Sequence, residues 1–371
     1  MSMKNNVYEF NIHIMRPDGT PVGEVPANAD LTPALDWARF YAIRQGHIAP
    51  FMTAGPCEIE PVWSSDHGRP FIGGFNAEFS EALGVKGLST RFPVTCFENA
   101  VRSASLYFAE KGHLSSGDSF SYRVSAHKQQ EQPAGPPGGN ISIRVDEISR
   151  PLPLTARKDL SDLKDGSRVM GEAAEVDMPV FMHQSVLDKI GAQTEGAGAN
   201  ETGGVLVGYL HQDENSSEII AEVTACIPAE HTDSTLTSLR FMPETWAAVR
   251  SGIRKRQKAE MILGWYHSHS YLKETCKDCD QAELGTCSAS AVFMSSDDCH
   301  LHRTVFSSPW NVALVASDSP CSGLQYGLFG WRYGVVAQRA LNIFADTAQV
   351  RNEPDSTCEQ ITLKGKENES N

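Results

Sequence analysis

Between Met261 and His269 the chain reads Met-Ile-Leu-Gly-Trp-Tyr-His-Ser-His, an apolar run that ends in two histidines one residue apart. The stretch from Met261 to Tyr266 is short and apolar, with Glu260 before it and polar residues after the histidines, which reads as a buried strand. Residues two apart on a strand project from one face, so His267 and His269 can grip one metal ion from one side. The third ligand must come from elsewhere in the fold. Asp298 suits that part, because Ser295-Ser296-Asp297-Asp298 is the pattern of a helix start, where Ser and Asp satisfy free backbone N–H groups. Glu201, in Glu201-Thr202-Gly203-Gly204, lies on the far side of a strand-helix-strand excursion and can face a metal without ligating it. Three protein ligands, an open position and a separate carboxylate are the parts of a catalytic zinc site. Zinc lowers the pKa of water to about 7, and a nearby carboxylate can then take the proton and deliver it to a leaving amine. Singly, each piece is ordinary: a solvated His-x-His, a helix start, a turn. Their order, and the apolar strands flanking two of them, argue against accident and make them the expected site.

These residues resemble a known pattern. The segment from about Met178 to Val336 is similar to a JAB/MPN domain of the JAMM zinc metalloprotease type, with a bacterial flavour to the glutamate motif. The matching pieces are Glu201-Thr-Gly-Gly-Val-Leu-Val-Gly208, Gly264-Trp-Tyr-His-Ser-His269 and Ser295-x-x-Asp298. The resemblance implies an α/β fold: a mixed β-sheet flanked by helices, with a cytidine-deaminase-like metal site. It also implies that Glu201 is the general acid/base, that His267, His269 and Asp298 are zinc ligands, and that Ser295 helps hold the oxyanion. Such enzymes hydrolyse isopeptide or peptide bonds after the C-terminus of ubiquitin and ubiquitin-like proteins, and some act on small sulfur-carrier proteins. Two departures stand out. Ser270 occupies the position where the family usually has proline, and residues 270–294 separate His269 from Ser295 where seven residues are typical.

That insertion carries Cys276-x-x-Cys279 and Cys287, with Cys299, His300 and His302 just beyond Asp298. A CxxC pair and a third thiolate can hold zinc. An endosome-associated branch of the family has a second, structural zinc, and one of its ligands is a histidine two residues after the ligating aspartate, here His300. The expectation is a second zinc held by Cys276, Cys279, Cys287 and His300, with Cys299 as substitute, stiffening the insertion beside the active site. A nucleoside-deaminase reading fits poorly: position 269 is His rather than Glu, and Thr275 rather than proline precedes the CxxC.

Composition narrows the setting. Nine cysteines, an odd number with four between 276 and 299, argue against a disulfide framework. The N-terminus begins no apolar signal run and no stretch approaches a membrane span, so a reducing cytoplasm is the expected compartment, with no membrane partner. A net charge of −14 disfavours nucleic acid. The one basic cluster, Arg250 to Lys258, falls at the end of an expected helix whose apolar stripe is Trp246, Val249 and Ile253, and so reads as its solvated face.

The chain divides into an α+β N-terminal domain of unknown role over residues 1–126, a flexible Pro/Gly/charged linker over 127–175, the JAB/MPN zinc isopeptidase domain over 176–346 and a disordered polar tail over 347–371. In the first part, Val7 to Met15 alternates as a strand, Pro17-Asp18-Gly19-Thr20 turns the chain, Thr32 to Arg44 is an amphipathic helix, Phe97 to Ala109 is another helix, and Ser119 to Val124 is a closing strand. In the second, the expected order is a helix at Pro179–Ile190, strands at Gly203–Tyr209 and Glu218–Ile227, a helix at Pro243–Arg256, then strands at Met261–Tyr266, Trp310–Ala316 and Tyr326–Val336. The functional expectation is a cytoplasmic zinc isopeptidase that removes a ubiquitin-like protein or matures its precursor, with the matching activating and conjugating enzymes as further partners. Two competitors stand beside it: a scaffold of the metal-free MPN kind, and a peptidase acting on a sulfur-carrier protein.

Overall fold

Phe10, Ile12 and Ile14 are buried and the residues between them are not, which is the signature of a strand with one covered face. In the computed structural model this is β1 (Tyr8–Met15). The residues described are 8–27, 31–50, 57–66, 69–79, 89–115, 117–128, 152–197, 200–229, 243–269, 292–319 and 323–344. A turn at Pro17–Thr20, closed by Arg16 N–H to the Thr20 carbonyl at 2.8 Å, leads into β2 (Pro21–Ala27). The helix α1 (Thr32–Arg44) has the bounds its Pro-led amphipathic sequence suggests. There follow β3 (Cys57–Asp66), β4 (Arg69–Phe79), β5 (Ser89–Phe92), α2 (Glu98–Glu110) and β6 (Ser121–Lys128). Two antiparallel sheets result, β2-β1-β6 and β3-β4-β5, giving the α+β unit expected for this part of the chain.

The remainder is a ten-stranded sheet with helices on both faces. Its elements are β7 (Leu154–Lys158), α3 (Leu160–Asp165), β8 (Ser167–Met170), β9 (Val180–His183), α4 (Gln184–Gly196), β10 (Gly203–Asp213), β11 (Ile219–Pro228), α5 (Pro243–Arg256), β12 (Met261–His269), α6 (Ser296–Val305), β13 (Val312–Ser319), β14 (Gly323–Arg332), β15 (Val335–Arg339) and β16 (Leu341–Phe344). The strand order is β15-β14-β13-β12-β10-β11-β9-β16-β8, with β7 added parallel to the far half of β10. This is the α/β class, with parallel and antiparallel pairs mixed. Among the described residues no helix is long and apolar enough to cross a membrane.

Several elements differ from the sequence reading. Within 127–175, read as a flexible linker, residues 129–151 lie outside the described residues, but β7, α3 and β8 are ordered parts of the large sheet. Neither strand is strongly apolar; pairing with β10 and β16 makes them strands, a tertiary effect that local composition does not carry. The helix expected from Pro179 begins as β9, because Val180, Phe181 and Met182 are buried between β11 and β16. The strand expected at Tyr326–Val336 breaks at Tyr333-Gly334, a two-residue hairpin with both φ values positive (53° and 79°). The expected tail, 347–371, lies outside the described residues.

Two details position the site. Gly264 sits where a Cβ would collide with the Val312 carbonyl, so only glycine lets β12 and β13 approach this closely. The pairing of β10 with β12 also slips at one point: Leu206 faces Gly264 but Val207 faces Ile262, which leaves Leu263 as a bulge. The bulge turns the strand over. Leu263 and Tyr266 therefore enter the core on the α4 side, while Ile262 and Trp265 enter the second core with Val249 of α5 and Phe306 just beyond α6.

The N-terminal unit is fastened to this sheet. The guanidinium of Arg44, buried at the end of α1, donates to both Glu218 carboxylate oxygens (2.6 and 2.9 Å) and to the carbonyls of Val176 (2.6 Å) and Asp177 (2.8 Å). Trp37 lies 4.7 Å from the Tyr333 ring, and a Cβ at Gly334 would press on the Ala34 backbone at 2.6 Å. The β14–β15 hairpin tip is thus plugged into the N-terminal unit, and one apolar cluster runs through both parts.

Candidate metal centre

β12 carries His267 and His269 to its very end, and both are almost fully buried. Their Nε2 atoms converge to 2.9 Å, and Asp298 Oδ2 lies 3.3 Å from His267 Nε2 and 3.5 Å from His269 Nε2. Among the described residues this trio is the one group whose ligand atoms, all within 4.8 Å of one another, could hold a metal. Asp298 is aimed by the start of α6. Ser295 caps the helix: its Oγ accepts from Asp298 N–H at 3.1 Å, and Ser295 N–H donates to Asp298 Oδ2 at 2.7 Å, a reciprocal capping box. The Ser295 hydroxyl keeps its own proton to donate. On the N-terminal side, Arg102 of α2 reaches the Ser296 carbonyl at 3.3 Å, so the N-terminal unit touches the same helix turn.

Glu201 arrives from the neighbouring strand. Gly203 of β10 pairs with His267, and Thr202 is tied to the residue between the two histidines: Ser268 N–H donates to Thr202 O at 2.8 Å, and Thr202 N–H to Ser268 Oγ at 2.9 Å. The long excursion through β11 and α5 therefore returns beside its starting point, and Glu201 is held next to the triad without belonging to it. The residue is 7 % exposed; burial first, and the charge of Asp298 second, raise its pKa to about 7. Asp298 shifts the other way. Burial opposes its charge, but hydrogen bonds from His267 and His269 outweigh that and hold it well below the ordinary carboxylate range. Burial lowers the pKa of His267 despite the pull of Asp298, so the ring is neutral near pH 7, as a metal ligand must be. Two imidazoles and an ionised carboxylate, with a second carboxyl group set apart, make a donor set that fits a tetrahedral metal with one position left open.

Around the triad, Trp265 lies flat against His267, with ring centres 4.6 Å apart and planes 13° from parallel. Half-exposed Phe293 lies 4.9 Å from the His269 ring and gives the site an apolar flank. Trp265 also donates its indole N–H to His302 Nδ1 at 3.1 Å. From sequence His302 stands out only as a neighbour of the insertion. The available signal was helical spacing: His302 follows Asp298 by four residues, and so shares its side of α6. Of the residues expected to bind a second zinc, Cys276, Cys279 and Cys287 lie outside the described residues; His300 is exposed on α6 and Cys299 is partly buried.

Residues 176–281 match the family described as JAB1/Mov34/MPN/PAD-1 ubiquitin protease. The chain carries a JAB/MPN domain. The match covers β9 through β12 and includes Glu201, His267 and His269; Ser295 and Asp298 follow it, where the fold brings them back to the same point. No curated protein matches the chain. Among solved structures, the chain is similar to the solution structure of a structural-genomics target from Desulfitobacterium hafniense, at 18 % identity and a TM-score of 0.33, covering 46 % of this chain and 96 % of that one.

Proposed function

We propose that the JAB/MPN domain is a JAMM-type zinc hydrolase that cuts the peptide or isopeptide bond after the C-terminal glycine of a ubiquitin-like protein, in deconjugation or in precursor processing. The observation that carries this reading is a His–His–Asp triad, its two histidines buried and its aspartate partly so, with a second carboxyl, Glu201, beside it whose pKa lies near 7. A domain kept only as a scaffold has no use for gathering these four polar side chains out of water, wholly or in part, since such burial is costly unless compensated.

Zinc, held by His267, His269 and Asp298, would supply Lewis acidity to the scissile carbonyl and acidify the attacking water. Glu201 takes that water's proton on its carboxylate. As the C–N bond breaks, Glu201 returns the proton to the departing amine, so that water is consumed and a carboxylate and an amine are released. A carboxyl with a pKa near 7 is suited to both transfers. Ser295 donates its hydroxyl hydrogen to the oxygen on which negative charge develops, while its Oγ keeps Asp298 in place. Phe293 lines the approach and helps exclude bulk water from the buried histidines.

The decisive experiment compares zinc content and cleavage of a ubiquitin-like C-terminal fusion in wild type, Glu201→Gln and His267→Ala. Wild type should bind zinc and cleave. Glu201→Gln should keep the metal and lose turnover by about 100- to 10,000-fold, the usual worth of general acid–base catalysis. His267→Ala should lose both. Wild type that binds no zinc would return the domain to the scaffold class. Zinc-loaded protein that cleaves a sulfur-carrier fusion but not a ubiquitin-like conjugate would change the substrate and leave the chemistry standing.

A further inference from the structure

The proposed metal has ligands on two elements that meet nowhere in sequence: His267 and His269 on β12, Asp298 on α6. Something must set how far the helix stands from the strand. Trp265 and His302 are both fully buried, and neither is a ligand. Trp265 precedes His267 by two residues and faces the same way, with its indole flat on that imidazole at 4.6 Å. The same indole donates its N–H to His302 Nδ1, 3.1 Å away on α6 and one turn beyond Asp298. One side chain therefore steadies the first ligand and grips the helix that delivers the third.

We infer that the Trp265–His302 hydrogen bond is the brace that holds Asp298 at ligating distance from the histidine pair, which makes Trp265 and His302 positioning residues for the metal. The inference rests on reading the triad as a metal site. The bond is built to be permanent. His302 packs against Trp331 at 5.3 Å and Phe306 at 6.2 Å, and Trp331 in turn donates to the Phe306 carbonyl at 3.1 Å, so the ring cannot swing away without disturbing β14. Burial, aided by the positive charge of Arg339, lowers the His302 pKa to about 3, so Nδ1 keeps its lone pair throughout the physiological range. A histidine kept only to fill space would work as well without an acceptor atom; the proposed role requires one. Loss of a residue that orients a metal ligand usually changes metal affinity by about 10- to 100-fold.

The test measures zinc affinity by chelator competition and the visible spectrum of the cobalt(II)-substituted protein, for wild type, Trp265→Phe, His302→Gln and the double variant Trp265→Phe/His302→Leu. Phenylalanine keeps the stacked ring but removes the donor. Glutamine keeps an acceptor oxygen. The double variant removes donor and acceptor together, so no buried polar group is stranded and the fold survives. If the brace is real, Trp265→Phe and the double variant both bind zinc roughly 10- to 100-fold more weakly, with altered cobalt bands, and His302→Gln recovers most of the affinity. Wild-type zinc affinity in the double variant, whatever its stability, would overturn the brace and leave the metal site intact. Failure of wild type to bind zinc at all would overturn the metal reading and the brace with it.

Discussion

At the scale of single residues, the geometry of the candidate site was legible where it is local and hidden where it depends on what lies behind. His267, His269 and the Ser295–Asp298 cap stand out because strand and helix-start periodicities fix their directions over a few residues. Trp265 and His302 do not, because a buried tryptophan and a buried histidine look like ordinary core from sequence. His302 also sets an acid limit on stability. Its folded pKa of about 3 lies below the ordinary 6.5, so between those values the unfolded chain binds a proton that the folded chain refuses. Stability is therefore fully present above about pH 6.5 and falls as the pH drops toward 3, by at most about 1.4 kcal/mol per pH unit. Urea titrations of metal-free wild type and His302→Leu across this range should show the steeper loss in wild type. Parallel curves would assign the acid sensitivity to other groups.

At the scale of elements, the reading succeeded for α1 and α5, whose proline starts and apolar stripes are self-contained, and missed β7 and β8, which are strands only because β10 and β16 accept them. The Leu263 bulge was equally invisible, although it decides which face of β12 carries Trp265. What fastens β7 is a polar cluster centred on Glu222 of β11. Lys158 of β7 bonds to its carboxylate, His211 of β10 does so at 2.8 Å, and His183 of β9 lies at 3.3 Å. Burial opposes the charge of Glu222, but these three partners together hold its pKa well below the usual range. Its contribution is thus present above the ordinary value near 4.5 and is lost as the pH falls below it. Glu222→Gln should cost about 1.5–3 kcal/mol at pH 7, with faster amide exchange at Ala156–Lys158 than elsewhere in the sheet. Unchanged exchange there would show that β7 is held by its backbone ladder alone.

For the whole molecule, the sequence suggested two domains on a tether, and the structure shows one apolar cluster shared between them. The reason the union was hidden is that its parts are far apart in sequence: Arg44 with Glu218, Trp37 with Tyr333, Phe40 with Trp310. Arg44→Ala should cost about 3–5 kcal/mol, because it strands a partly buried carboxylate and two carbonyls. Deleting residues 1–128 should leave a chain that aggregates or binds hydrophobic dyes rather than an active domain, as light scattering and dye fluorescence would report. A monomeric truncation with the melting temperature of the full chain would show that the shared core is dispensable. The Tyr333-Gly334 tip also orders events on the ribosome. The pocket that receives it, around Ala34 and Trp37, is synthesised nearly three hundred residues earlier. At about 5–20 residues per second it waits roughly 15–60 s with an apolar face uncovered, and the shared core closes only when the last hairpin emerges.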